Sequence, residues 1–99
     1  MLISFTRSAI EDLEGIKYYY QDQGVANNGD EFVSAIMKRI ETLASHPDIG
    51  RIVAELEDNH IRELIHPPFR VVYFRESDSI KIIRVWRSER LLDLPDAEV

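Results

Sequence analysis

Ninety-nine residues, 44% of them hydrophobic, suffice for one independently folding domain spanning residues 1–99, with room for one sheet and two or three helices. Twelve Lys/Arg against eighteen Asp/Glu leave a formal net charge of −6, which argues against a protein that coats nucleic acid by bulk electrostatics. The absence of cysteine excludes disulfide frameworks, thiolate zinc sites and cysteine nucleophiles, and the absence of a long apolar run or a secretory layout at Met1–Arg7 leads us to expect a soluble, cytoplasmic protein with no membrane partner.

Leu2-Ile3-Ser4-Phe5 is a short apolar run with a β-branched residue and reads as a strand. A helix follows, capped by either Thr6 or Ser8, the latter standing three residues before Glu11 in a capping-box spacing. Ala9, Leu13, Ile16 and Tyr20 fall on one face of it, and Asp22-Gln-Gly24 ends it. Of the Tyr18-Tyr-Tyr20 run, Tyr20 belongs with the core, whereas Tyr18 and Tyr19 can face solvent or a partner. After Asn27-Asn-Gly29-Asp30 a second helical stripe begins, with Phe32, Ile36, Ile40 and Leu43 widened by Val33 and Met37, and Pro47 is expected to close it.

Beyond Gly50 the pattern becomes extended. Ile61–Ile65, Phe69–Arg75 and Ile80–Trp86 are strand candidates, separated by Pro67-Pro68 and by a hairpin turn at Glu76-Ser-Asp-Ser79. Arg87 to Leu94 mixes apolar and charged residues compatible with a short C-terminal helix, and an acidic tail follows. The order β-α-α-β-β-β implies an α+β fold: an antiparallel sheet with a helical hairpin packed on one face.

Most candidate chemistry fails on geometry. His60-x-x-Glu63-x-x-His66 looks like a metal site, but on a strand rising about 3.3 Å per residue the histidines would stand roughly 20 Å apart, too far to share an ion. No phosphate loop, nucleophile elbow or serine–histidine–carboxylate set is present, so neither a metal, a cofactor nor a catalytic residue is expected. His46 fits a helix C-terminal position better than a catalytic one.

What remains is the charge distribution. Residues 1–61 hold five Lys/Arg against eleven Asp/Glu, whereas residues 62–90 hold seven against four. This late basic cluster, in which Arg62, Arg70, Arg84, Arg87 and Arg90 stand with Trp86, either gathers a face for an anionic partner or decorates solvated strand edges.

Ala9…Asp12-Leu13…Ile16…Tyr19, then Leu43…His46-Pro47…Gly50-Arg51, Ile61-Arg62-Glu63-Leu64, Phe69-Arg70-Val-Val-Tyr73 and Ile82-Ile83-Arg84-Val85-Trp86-Arg87 resemble, in order and spacing, the ParE/RelE toxins of type II toxin–antitoxin systems. The resemblance implies a compact toxin wrapped and silenced by the C-terminal segment of a cognate antitoxin, with DNA reached only through that antitoxin or through the target. It makes Arg62, Arg70, Arg84, Trp86, Arg87 and Arg90 the candidate target- or antitoxin-binding residues. It also implies one of two activities. RelE-like members cut messenger RNA on the ribosome and need cations plus a late tyrosine or histidine for proton transfer. Here Arg62, Arg87 and Arg90 match their basic positions, but Ser88 stands where a catalytic arginine aligns, and no tyrosine or histidine lies between Ser88 and Val99. Glu55, Glu57 and Asp58 occupy the connection where those members offer lysines. ParE-like members poison DNA gyrase by binding it and need no such group, so the ParE-like branch is favoured, although a histidine that often follows its last strand is replaced by Trp86-Arg87. A third reading is a member that has lost its activity and keeps only its complex-forming surface.

Structural roles compete with functional ones at each candidate. Arg62 and Arg84 can pair with Glu11, Asp12 or Glu14 on the helices. Arg70 points away from Phe69 and Val71. Trp86 fits a core or antitoxin-covered anchor better than a base-stacking platform. Leu91-Leu92-x-Leu94 is expected to dock on the sheet or under the antitoxin.

Overall fold

The computed structural model describes residues 1–56 and 58–87. Strand β1 (Leu2–Phe5) turns Ile3 and Phe5 inward and leads directly into helix α1 (Arg7–Asp22). Thr6 is the cap: its hydroxyl accepts the Ala9 N–H at 3.1 Å and donates to the Ile83 carbonyl at 2.7 Å, so one side chain both starts the helix and ties it to the sheet. At the other end Gly24, at φ +79°, lets Val25 N–H reach back to the Tyr20 carbonyl and its own N–H reach Gln21, a Schellman ending.

Helix α2 (Ala26–Thr42) starts earlier than its apolar stripe suggests, and Asn27-Asn-Gly29-Asp30 is its first turn rather than a loop. Gly29 is buried where the helices cross. A Cβ there would sit 3.0 Å from Tyr20 Cβ and 3.3 Å from Lys17 Cα, so this glycine serves close packing and not a bend. Pro47 does not end α2. The helix stops at Thr42, where the Leu43 and Ala44 N–H groups turn to carbonyls three residues back and the Thr42 hydroxyl donates to the Arg39 carbonyl at 2.6 Å.

Four more strands follow: β2 (Arg51–Ile52), β3 (Ile61–His66), β4 (Phe69–Arg75) and β5 (Ser79–Arg87), with a 3-10 turn at Ala54–Leu56. They form one open sheet in the order β1-β5-β4-β3-β2. The β-α-α-β-β-β order holds, with the two-residue β2 as an unanticipated addition. The meander β2 to β5 is antiparallel as expected, but β1 joins β5 in parallel, which makes the sheet mixed. The helical pair is the reason: it carries the chain from one sheet edge to the other, so the meander returns to β1 running in the same direction.

Between Val72 and Tyr73 the β4–β5 register slips, leaving Ile83 as the extra residue of a bulge. Phe69, Val71 and Tyr73 line the helix-facing side with Leu64, Ile80, Ile82 and Val85, beneath Ile36, Ile40 and Leu43. Phe32 meets Phe69 edge-on at 5.2 Å and joins the two layers. Tyr20 packs against this core, while Tyr18 and Tyr19 are exposed. Arg90, Ser88, Glu57, the Leu91–Leu94 stretch and most of the expected terminal helix lie outside the described residues, and Arg87 is the last residue of β5.

Candidate functional site

Of the candidate cations, the four among the described residues, Arg62, Arg70, Arg84 and Arg87, each contact groups of their own chain. β1 pairs with β5 only as far as Ile82, so among the described residues no strand flanks the distal half of β5 on that side. Asp12, on α1, takes the place of one: its Oδ2 accepts the Val85 N–H at 2.9 Å, and its two oxygens receive Arg84 Nε and Nη2 at 2.8 and 2.9 Å. This two-pronged pair is one of the three partners expected for Arg84, and it holds the guanidinium pKa above its ordinary value. Arg84 also lies 4.6 Å from the Trp86 ring centroid.

Arg62 has a different partner from those expected: it reaches no helix carboxylate. Its Nη1 donates to the Gly50 carbonyl at 2.8 Å and the Asp48 carbonyl at 3.3 Å, and its Nε stands 3.7 Å from the Asp48 carboxylate. Arg75 Nε donates to that same carboxylate at 2.9 Å. Beside them the Tyr73 hydroxyl donates to the Pro47 carbonyl at 2.9 Å and accepts the Gly50 N–H at 3.0 Å. Burial pushes this phenol's pKa upward, against the opposing pull of the Gly50 N–H. A Cβ on Gly50 would fall 2.6 Å from the Tyr73 oxygen and 2.8 Å from the Glu63 carbonyl, so only glycine lets the loop close. Three strand side chains and Asp48 thus latch residues 47–51. The sequence marks Tyr73 only as the end of a strand motif and Asp48 not at all, because a loop partner at irregular spacing leaves no periodic signal.

Arg70 does face away from Phe69 and Val71, yet it is buried. Glu63, also buried, lies between two arginines: Arg51 Nε donates to Oε2 at 2.6 Å, and Arg70 Nη1 is 3.1 Å from Oε1 in an ion pair lacking hydrogen-bond geometry. Arg70 Nε and Trp86 Nε1 are buried without a hydrogen-bond partner among the described residues, on side chains paired across β4 and β5. Arg87 donates to the Tyr20 hydroxyl at 3.3 Å and stacks over Phe69 at 5.6 Å.

Between α1 and the end of β5 runs a groove of about 280 Å³, lined by Gly15, Ile16, Tyr19, Phe69, Trp86 and Arg87 among others. A Cβ on Gly15 would meet nothing within 4 Å, so the packing of this chain does not call for glycine there. His60 stacks on Phe74 and contacts Asp58 at the surface. Among the described residues no cluster of three His, Cys, Asp or Glu side chains is placed to hold a metal ion, and no helix is long and apolar enough to cross a membrane.

A family model described as the ParE toxin of the type II toxin–antitoxin system parDE matches residues 3–92. Among solved structures, a chain from the chromosomal ParDE TA system of P. aeruginosa is 24% identical and superposes with a TM-score of 0.72, covering 88% of this chain and 95% of that one, a likeness of fold. Nothing among the curated proteins matches.

Proposed function

The chain belongs to the ParE toxin family of type II toxin–antitoxin systems, and from that premise we propose that it arrests growth by binding DNA gyrase and stabilising the enzyme's cleaved-DNA state, a cognate antitoxin holding it inactive. The observation that carries this reading is the engagement of the strand arginines. Cutting RNA by 2′-hydroxyl attack requires cations free to meet the phosphorane and a group that accepts the proton. Arg62, Arg70 and Arg84 are each occupied by carboxylates or carbonyls of this chain, and the Tyr73 phenol is held between Pro47 and Gly50. A poison that works by binding needs a rigid surface instead, and those same contacts supply rigidity.

We assign the groove between α1 and β5 to the antitoxin. It combines apolar lining with a helical glycine that leaves room for a close approach, and exposed Glu11 and Glu14 on α1 suit a basic segment. On this reading the protein works in the cytoplasm, meets DNA only through its partners, and serves plasmid or prophage maintenance.

The test is a supercoiling and cleavage assay of purified gyrase on plasmid with ATP, titrating antitoxin-free protein. Linear plasmid should accumulate with dose and vanish when antitoxin is added. No effect at saturating protein would sink the gyrase assignment in favour of ribosomal messenger RNA cleavage, with Arg62, Arg87 and Arg90 the residues to replace.

A further inference from the structure

Among the described residues, besides the chain's first residues and Val25 after α1, exposed large apolar side chains gather on α1 and around β2, where Ile49, Ile52 and Leu56 are 56%, 43% and 52% exposed. The second group lies at the sheet edge opposite β1, since among the described residues β2 neighbours only β3. Edges that are protected against pairing carry charge or proline, and short strands also blunt them. This edge is short and carries a charge at Arg51, which Glu63 neutralises, but it presents three aliphatic side chains within eight residues.

The wiring beneath it needs a reason. Tyr73, Arg62 and Arg75, with Asp48, hold a loop whose own Ile49 adds nothing to the core, and Arg51 is fixed separately by Glu63. Ordering a loop costs conformational entropy, and a loop ordered in advance spares a binding partner that cost. The latch therefore makes sense as the mount of a recognition surface.

The geometry points to the β2 edge, with Ile49, Ile52 and Leu56, as the surface through which the protein grips its target, taking an extended, basic segment of another protein alongside β2. The identity of that protein as gyrase rests on the function proposed above; the location does not. Exposed Glu55, with Asp58 close by, rims the edge, so a nucleic-acid backbone is repelled, and a second copy of a chain of net charge −6 would set the same acidic rim against itself. An extended segment with aliphatic side chains and lysine or arginine satisfies the open edge, the apolar trio and the rim together. The antitoxin groove, at β5, lies three strand spacings from β2, about 14 Å, which roughly five extended residues span, so an antitoxin seated in the groove can still reach and block the edge.

The experiment compares the wild type with Ile52→Asp/Leu56→Asp and, separately, Glu55→Lys, each expressed without antitoxin. Survival after induction, linear plasmid in the gyrase assay and binding to purified antitoxin are read for all three. The double variant should lose at least tenfold in killing and in gyrase cleavage while its antitoxin affinity stays within about threefold, and Glu55→Lys should weaken killing severalfold with its fold intact. Full killing by the double variant overturns the proposal. If the double variant loses antitoxin binding as well, Glu55→Lys decides: weakened killing supports the edge, and wild-type killing overturns it. A wild type that kills but leaves gyrase untouched, beside a harmless double variant, keeps the edge and discards gyrase. A wild type that does not kill overturns both.

Discussion

The Tyr73 hydroxyl is the group on which the latched loop turns. It satisfies the Gly50 N–H and the Pro47 carbonyl at once. Tyr73→Phe leaves that N–H buried and unpaired, which should cost about 2 kcal/mol, or roughly 10 °C in Tm for a chain of this size. The pH dependence follows from the direction of the shift. Burial raises the folded-state pKa above its ordinary 10.0, so the stabilisation is complete below that value and disappears as pH rises through the higher folded value. Ionisation also removes the proton offered to Pro47. Urea unfolding of wild type and Tyr73→Phe should therefore show a constant gap at neutral pH that narrows above about pH 10; a gap that stays constant at strongly alkaline pH would refute the assignment. Arg84 illustrates what was legible at this scale. Its partner Asp12 lay on a helix whose phase could be read, whereas the partner of Arg62 lay in the loop before β2, where no spacing points to anything.

At the scale of elements, two helical glycines look alike in the sequence and differ in the structure. Gly29 sits where α2 presses on α1, and Gly15 faces open space in the groove. Alanine is the better helix former by about 1 kcal/mol, so Gly15→Ala should raise Tm by roughly 5 °C. Gly29→Ala gains the same propensity but must separate Tyr20 Cβ and the Lys17 backbone from α2, an overpacking cost of about 1–3 kcal/mol that should leave it neutral or destabilised. Thermal melts of both variants check the contrast. If the groove seats the antitoxin, Gly15→Ala should bind it more weakly despite being more stable; unchanged affinity would remove the groove from that role. Strand and helix identities were readable because each apolar stripe kept its period over several turns. The start of α2 was not, since Asn27-Asn-Gly29-Asp30 is turn chemistry by local propensity and becomes helix only because α1 is there to be packed against. Nor was β2, whose two residues are too few to show an alternation.

For the whole molecule, the basic cluster late in the sequence reads as a possible face for an anion, and folding pairs Arg62, Arg70 and Arg84 of it, with Arg75, to carboxylates of the same chain. Arg62 and Arg75 meet Asp48, Arg70 meets Glu63, which Arg51 also meets, and Arg84 meets Asp12, each pair joining separate segments of the chain. No single-chain pattern reveals such cancellation, because it depends on which carboxylate the topology delivers. What is left outside is the net charge of −6. Counterion release, the main source of nonspecific affinity for duplex DNA, requires lysines and arginines free to displace cations from phosphates. The protein alone should therefore leave duplex DNA unshifted in a gel at about 0.1 M salt, where screening leaves only short-range contacts. Adding antitoxin should produce a shift if its other half binds DNA, and the toxin should then ride along without adding to the steepness of the salt dependence. A salt-sensitive shift by the protein alone would mean that the ion pairs open on a phosphate backbone, and would return Arg62, Arg70 and Arg84 to the position of nucleic-acid contacts.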